Sequence, residues 1–253
     1  LFNALVNFIL VQWRWRGKMG GAIRFVLIFF VTFLYQDKKV KKEKLHLIMT
    51  AMTGKNNILT NTYGLVLCGG NSSRMGTDKS MLQYYDKPQR YHVHDMLQPF
   101  CEKVFISCNE AQANTIEPGY DFIPDDIPFS NIGPLGALLT AFAKYPGKHM
   151  LLIGCDYPFL KAAELEIFSK LCIDIPASFY NREGIIYESM LAWYPFTCFD
   201  ELKRMFDAKQ FSLQHLLRKT DATKYLPPDT NCIKSVDTQE DHEKVKELIK
   251  KRY

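Results

Sequence analysis

The 253-residue chain has no Cys-x-x-Cys pair, no apolar run long enough to span a membrane, and no charge surplus over most of its length. Each lack removes a class of function. Its seven cysteines, an odd number, all lie beyond residue 60, and they suit neither a disulfide framework nor a zinc site. A reducing cytoplasm is the expected compartment. The net charge of +5 is unevenly spread: residues 1–51 carry nine Lys/Arg against two Asp/Glu, and residues 52–253 carry 23 against 25. The larger part is mildly acidic, so no nucleic-acid partner is expected. Also missing are the Walker pattern Gly-x-x-x-x-Gly-Lys-Ser/Thr and the dinucleotide fingerprint Gly-x-Gly-x-x-Gly. No Ser-His-Asp or Cys-His arrangement has motif support. His92 and His94 are two apart on an expected helix and do not share a face for one metal. With 47% hydrophobic and 23% charged residues, the chain is neither disordered nor fibrous and can bury a sizeable core.

The first fifty residues or so differ from the rest. Two apolar stretches, Leu1–Val11 and Phe25–Tyr35, are separated by Arg14, Arg16, Lys18 and a glycine pair. Each is about half the roughly twenty residues of a spanning helix. With their basic flanks they loosely resemble a signal peptide, but the lysine-rich run Lys38–Lys44 stands where a cleavage site would follow. An interfacial anchor is poorly patterned. Residues 1–51 are therefore read as an N-terminal extension, an upstream translation outside the folded domain, with Met49 and Met52 as sensible starts. Residues 52–253 form the domain, and it needs no membrane.

Within that domain, short apolar runs alternate with helical spacing. Tyr63–Cys68, Val104–Ser107, Tyr120–Ile123 and His149–Gly154 read as strands, and Cys232–Val236 as a late one. Pro88 to about Phe100, Pro134–Tyr145, Ala162–Leu171, Asp200–Phe206, Leu213–Lys219 and Gln239–Lys251 read as helices. Ile185–Tyr194, with a turn near Arg182–Gly184, suggests an antiparallel excursion. Such alternation predicts an α/β fold with a mainly parallel sheet covered on both faces. Ligands then bind beyond the carboxyl ends of the strands.

The most informative segment follows the first strand: Leu67-Cys68-Gly69-Gly70-Asn71-Ser72-Ser73-Arg74-Met75-Gly76-Thr77-Asp78-Lys79. A glycine pair lets the backbone turn sharply against a ligand, and successive N–H groups in such a turn hold an anion. Arg74 and Lys79 add two cations suited to phosphate. Asp156 ends the apolar strand His149–Gly154 and suits either Mg²⁺ ligation or a turn before Pro158. The pattern Leu-x-Gly-Gly-x-Ser-x-Arg-Met-Gly-x-Asp-Lys resembles the signature of the molybdenum cofactor guanylyltransferases, over roughly residues 62 to 250.

That resemblance implies a Rossmann-like three-layer nucleotidyltransferase fold and transfer of GMP from GTP to molybdenum-bound molybdopterin, with release of pyrophosphate. It implies Mg²⁺ on Asp156, whose Asp-x-Pro matches the family's metal-binding segment. Arg74, Lys79 and Asp156 carry catalysis on this reading. Leu67, Cys68, Gly69, Gly70, Lys79, Asn109, Asp126 and Asp156 contact the nucleotide, and Glu188 and Asp237 face the second substrate. Transient contact with molybdoenzymes or cofactor-synthesis proteins would follow. Cys68 replaces the usual Ala, Gly136-Ala137 inverts Ala-Gly, and Glu188-Ser189-Met190 and Ser235–Gln239 replace Glu-Pro-Leu and Asn-x-Asn-Thr-Pro. These departures bear more on the acceptor than on the nucleotide. The alternatives are a CTP-dependent cytidylyltransferase acting on molybdopterin or a sugar-like alcohol, and a non-catalytic nucleotide-binding module.

Overall fold

The computed structural model describes residues 59–68 and 78–252. The chain divides into two units, Leu1–Asn56 and Asn57–Tyr253, and the described residues belong to the second. The expected extension and the loop residues Gly69, Gly70 and Arg74 lie outside them.

Seven strands form one sheet: β1 (Thr62–Leu67), β2 (Lys103–Cys108), β3 (Phe122–Pro124), β4 (His149–Gly154), β5 (Ala177–Asn181), β6 (Ile186–Tyr194) and β7 (Thr223–Tyr225). Their order is β3-β2-β1-β4-β6-β5-β7. Only β6 runs against the others, pairing antiparallel with both β4 and β5. The helices are α1 (Gln89–Leu97), α2 (Glu110–Ala113), α3 (Pro134–Lys144), α4 (Ala162–Phe168), α5 (Phe199–Asp207), α6 (Leu213–Lys219) and α7 (Gln239–Arg252).

The strand sequences are apolar nearly throughout because side chains alternate between two covered faces. Val66, Ile106, Leu151, Ile153 and Trp193 point into one core, with Tyr91, Val93 and Leu97 of α1 and Phe168 of α4. Leu65, Phe105, Met150, Leu152 and Tyr194 point into the other, with Leu135, Leu138, Leu139 and Phe142 of α3 and Leu216 of α6. The result is three layers, as expected. Among the described residues no helix is long and apolar enough to cross a membrane. The seven cysteines are free thiols.

Cys232–Val236 is not a strand. Thr230–Ile233 forms a 3-10 turn whose Asn231 N–H bonds the Asp229 carboxylate at 3.0 Å. The turn-forming Asp229-Thr230-Asn231 overrides the apolar residues that follow, and Val236 donates its N–H to the Asp156 carbonyl rather than to a neighbouring strand. The short strands β5 and β7 and the four-residue α2 carry too little periodicity to be read from sequence. The antiparallel excursion is the β5–β6 hairpin. Its turn is held by Gly184 N–H on the Asn181 side chain at 3.0 Å, with Ile185 at φ 53°.

Candidate active site

The site forms where parallel β1 and β4 end side by side. Leu67 pairs with Gly154 across the two strands, and the pairing continues one step further: Cys155 N–H donates to the Leu67 carbonyl at 3.1 Å, and Cys68 N–H donates to that of Ser107 at 3.2 Å. The glycine-rich loop that leaves β1 therefore starts next to Cys155-Asp156. Cys68 and Cys155 bring their sulfurs to 4.0 Å. Both are buried, and burial pushes the Cys155 thiol well up, so it stays a neutral thiol and not a nucleophile.

Asp156 is half-buried, but its Oδ1 is closed to solvent and has no hydrogen-bond partner among the described residues. Burial pushes this carboxyl up to about 6 against a hydrogen bond from its own backbone; Asp237 and Glu188 push it up too, and Lys79 pulls it down. Gly154 makes the room for it. A Cβ at position 154 would lie 2.5 Å from Asp156 Oδ1 and 3.3 Å from the Tyr157 ring. A desolvated carboxylate oxygen that no hydrogen bond satisfies is a fitting ligand for a hard cation.

Lys79 reaches this cluster from the far end of the loop. Its Nζ donates to Asp237 Oδ1 at 2.9 Å and to the Val236 carbonyl at 3.2 Å. Asp237 also accepts from Ser235 Oγ at 3.1 Å. Val236 is the residue that bonds the Asp156 backbone, so one extended segment ties Lys79 and Asp156 together. Glu188 arrives on β6, which can deliver it to the carboxyl end of β4 because it runs antiparallel. Tyr157 donates to Glu188 at 3.3 Å, and burial pushes this half-buried carboxyl up. Tyr85 donates to the Pro158 carbonyl at 2.8 Å and steadies the turn after Asp156.

Of the residues expected from sequence, Leu67, Cys68, Lys79, Asp156, Glu188 and Asp237 meet here. Asn109 and Asp126 lie along the ends of β2 and β3. Asn109 caps α2: its side-chain oxygen accepts Gln112 N–H at 2.9 Å while its own N–H donates to Gln112 Oε1 at 3.1 Å. Asp126 is exposed and donates its N–H to Thr140 Oγ1 at 3.2 Å. Its neighbour Asp125 is the half-buried acid, pushed up by burial and held by Ser107 at 3.5 Å. The inverted Gly136 has a steric cause, because a Cβ there would meet the Phe129 carbonyl oxygen at 2.0 Å.

Sequence reasoning missed two residues. Gly154 was read only as the end of a strand, since its role depends on the rotamer of a side chain two residues on. Gln112 was not singled out, although Asn109-x-x-Gln112 is a capping-box spacing that marks a helix start. A cavity of about 200 Å³ is lined by Phe159, Lys234, Ser235, Val236 and Lys244 among others.

Comparison with known proteins agrees with this architecture. Residues 64–223, more than half of the chain, match the MobA-like NTP transferase domain. The molybdenum cofactor biosynthesis bifunctional protein of Synechocystis is 33% identical over 138 residues, covering 53% of this chain and 39% of that protein. A molybdenum cofactor guanylyltransferase of Shewanella sediminis is 32% identical over 103 residues, covering 40% of this chain and 52% of that one. The matches thus span about half or less of those two relatives' length. The crystal structure of molybdopterin-guanine dinucleotide biosynthesis protein A from Archaeoglobus fulgidus superposes with a TM-score of 0.62 at 20% identity, over 75% of this chain and all of that one. That match speaks for the fold. The glycine-rich loop after β1, the carboxylate after β4 and the matched span together leave one assignment: the chain belongs to the MobA-like NTP transferase family.

Proposed function

We propose that this protein transfers GMP from GTP to the phosphate of molybdenum-bound molybdopterin. An acceptor phosphate oxygen attacks the α-phosphorus, the bond from that phosphorus to the β-bridging oxygen breaks, and pyrophosphate leaves. The acceptor is already anionic and needs no side-chain base. Catalysis then rests on alignment and on charge neutralisation. One observation carries the reading: the loop that follows β1 and the half-buried Asp156 that follows β4 start from adjacent, in-register strand ends, and Lys79, past the far end of that loop, bonds the Val236–Asp237 segment that also bonds the Asp156 backbone.

Charge argues for a divalent cation. Among the described residues, Asp237 and Glu188 both act on Asp156 and Lys79 opposes them there, so a triphosphate arriving beside these acids meets repulsion that a divalent cation would offset. Mg²⁺ fits, because it takes one or two protein carboxylates and completes its shell with phosphates and water. Asp156 would hold the ion, with Asp237 beside it, and the ion would supply positive charge against the phosphates. Lys79 and Arg74 grip the phosphates, Leu67 to Gly70 supply backbone contacts, and Asn109 and Asp126 line the base and ribose end. Glu188 and Asp237 face the acceptor. The free thiols suit a reducing cytoplasm.

Thermal-shift titration with GTP, CTP, ATP and UTP in the presence of Mg²⁺ tests the donor. GTP is expected to give the largest rise in melting temperature. A larger rise with CTP would replace the guanylyl reading with the cytidylyl one, and no rise with any nucleotide would refute both.

Gly154→Ala tests the space that position 154 leaves for the Asp156 carboxylate. The added methyl displaces the carboxylate, and turnover is expected to fall by on the order of 10², the usual cost of misplacing a group by about 1 Å. Unchanged turnover in the folded variant would show that Asp156 Oδ1 is not where the reaction is organised.

A further inference from the structure

We infer that Gln112 is a positioning residue for the nucleotide loop, clamping the two stems of residues 69–77 with one side-chain amide. The inference rests on the reading of that loop as the phosphate-binding segment. Gln112 Nε2 donates to the Asp78 carboxylate at 2.9 Å and to the Cys68 carbonyl at 3.5 Å. Cys68 and Asp78 flank the loop on its two sides.

The amide has one workable orientation. Its oxygen accepts the Asn109 N–H at 3.1 Å, and a carboxylate such as Asp78 needs a donor opposite it. The NH₂ group is therefore aimed at the loop stems. Gln112 is itself held from behind. Its backbone carbonyl accepts Thr115 Oγ1 at 2.7 Å, and the buried Arg90 guanidinium donates to both Thr115 Oγ1, at 3.0 Å, and the Thr115 carbonyl. Asp78 passes the constraint on, because its second oxygen accepts Ser80 N–H at 2.9 Å and starts the 3-10 turn Lys79–Met81. Lys79 is thus aimed from two directions, by Gln112 through Asp78 and by Asp237 directly.

Gln112 spends its hydrogen bonds on these stems and on the α2 cap rather than on the core. No residue of α2 is buried, so loss of this side chain costs little core packing.

Three variants of the full chain test the inference, with Mg²⁺ and GTP as the probe. Gln112→Ala is expected to weaken GTP binding about tenfold, the cost of one hydrogen bond to a charged group. KM for GTP rises in step, kcat falls less than about threefold, and the melting temperature without nucleotide changes little. Gln112→Glu sets a second carboxylate against Asp78 and weakens binding further. Combining Gln112→Glu with Asp78→Asn reverses the polarity of the pair. The new amide donates to the new carboxylate and still accepts from Ser80 N–H, while the Cys68 carbonyl loses its donor. Affinity is therefore expected to recover part of the loss, to about the level of Gln112→Ala and above that of Gln112→Glu. A merely structural side chain has no reason to show that rescue. GTP affinity and KM unchanged in Gln112→Ala, or a double variant no better than Gln112→Glu, would overturn the clamp. If the unaltered protein binds no nucleotide, the nucleotide reading itself falls, and the clamp with it.

Discussion

Asp156→Asn should abolish nucleotidyl transfer and, in the same protein, raise stability at neutral pH. The two effects share one cause. Asp156 is a half-buried residue whose Oδ1 is closed to solvent and has no hydrogen-bond partner among the described residues, and desolvation pushes the carboxyl up to about 6 from an ordinary value of 3.8. The folded protein holds this proton more tightly than the unfolded chain does. Below pH 3.8 the group is protonated in both states and costs nothing. As pH rises through about 6 the folded state must carry a desolvated charge, and stability is lost. The difference of roughly two units corresponds to about 3 kcal/mol as an order of magnitude. Asn carries no charge, so without added divalent cation the variant should melt some 5–10 °C higher than the unaltered protein at pH 8 and at nearly the same temperature at pH 4. Melting curves at the two pH values measure this. The activity loss follows from the same replacement, since a neutral amide is a poor ligand for Mg²⁺ beside two further acids. Normal metal-dependent pyrophosphate release in Asp156→Asn would sink the assignment. A variant that melts lower would show that the carboxylate serves the fold.

Lys79→Ala is expected to lower GTP binding and transfer by a factor on the order of 10², as befits a phosphate contact of about 3 kcal/mol. Its geometry gives a second reason for a large effect. Lys79 joins the loop to the Val236–Asp237 segment and opposes the acids around Asp156. Without it the loop loses a tether and the phosphates meet uncompensated carboxylates. Lys79→Arg should recover only part of the loss, because a planar fork does not reproduce a compact ammonium bonded at once to a carbonyl and a carboxylate. Steady-state kinetics with GTP and Mg²⁺ decide the matter, and wild-type kinetics in a correctly folded Lys79→Ala protein would refute a phosphate role.

Much of the fold was legible because its core strands are extreme. The strands β1, β2 and β4 are almost continuously buried, and such runs between helices of clear period admit few readings. The errors fall where the local signal is short or contested. The turn at Asp229 defeated an apolar run, and three-residue β7 exists only because β5 offers it a partner. The site divides in the same way. Lys79 and Asp156 stand out as candidates because each ends a distinctive string. Gly154 and Gln112 do not, because their value lies in what stands opposite them: a carboxylate oxygen 2.5 Å from an absent Cβ, and a loop stem 34 residues earlier in the chain.

By itself the sequence determined the layered α/β class, the loop that follows the first strand and the carboxylate that follows the fourth. Alternation, apolar runs and glycine placement are local properties, and local sterics and burial act on them directly. Only the tertiary structure decided which acids share the site. Asp156, Asp237 and Glu188 come from segments far apart in the chain. They meet because β1 and β4 pair in register, β6 turns back against them, and the Val236 segment crosses over Asp156. The tertiary structure also gave these groups their chemistry. A carboxylate's charge and a thiol's reactivity depend on desolvation and on neighbouring charges, and those are set by packing rather than by the order of residues.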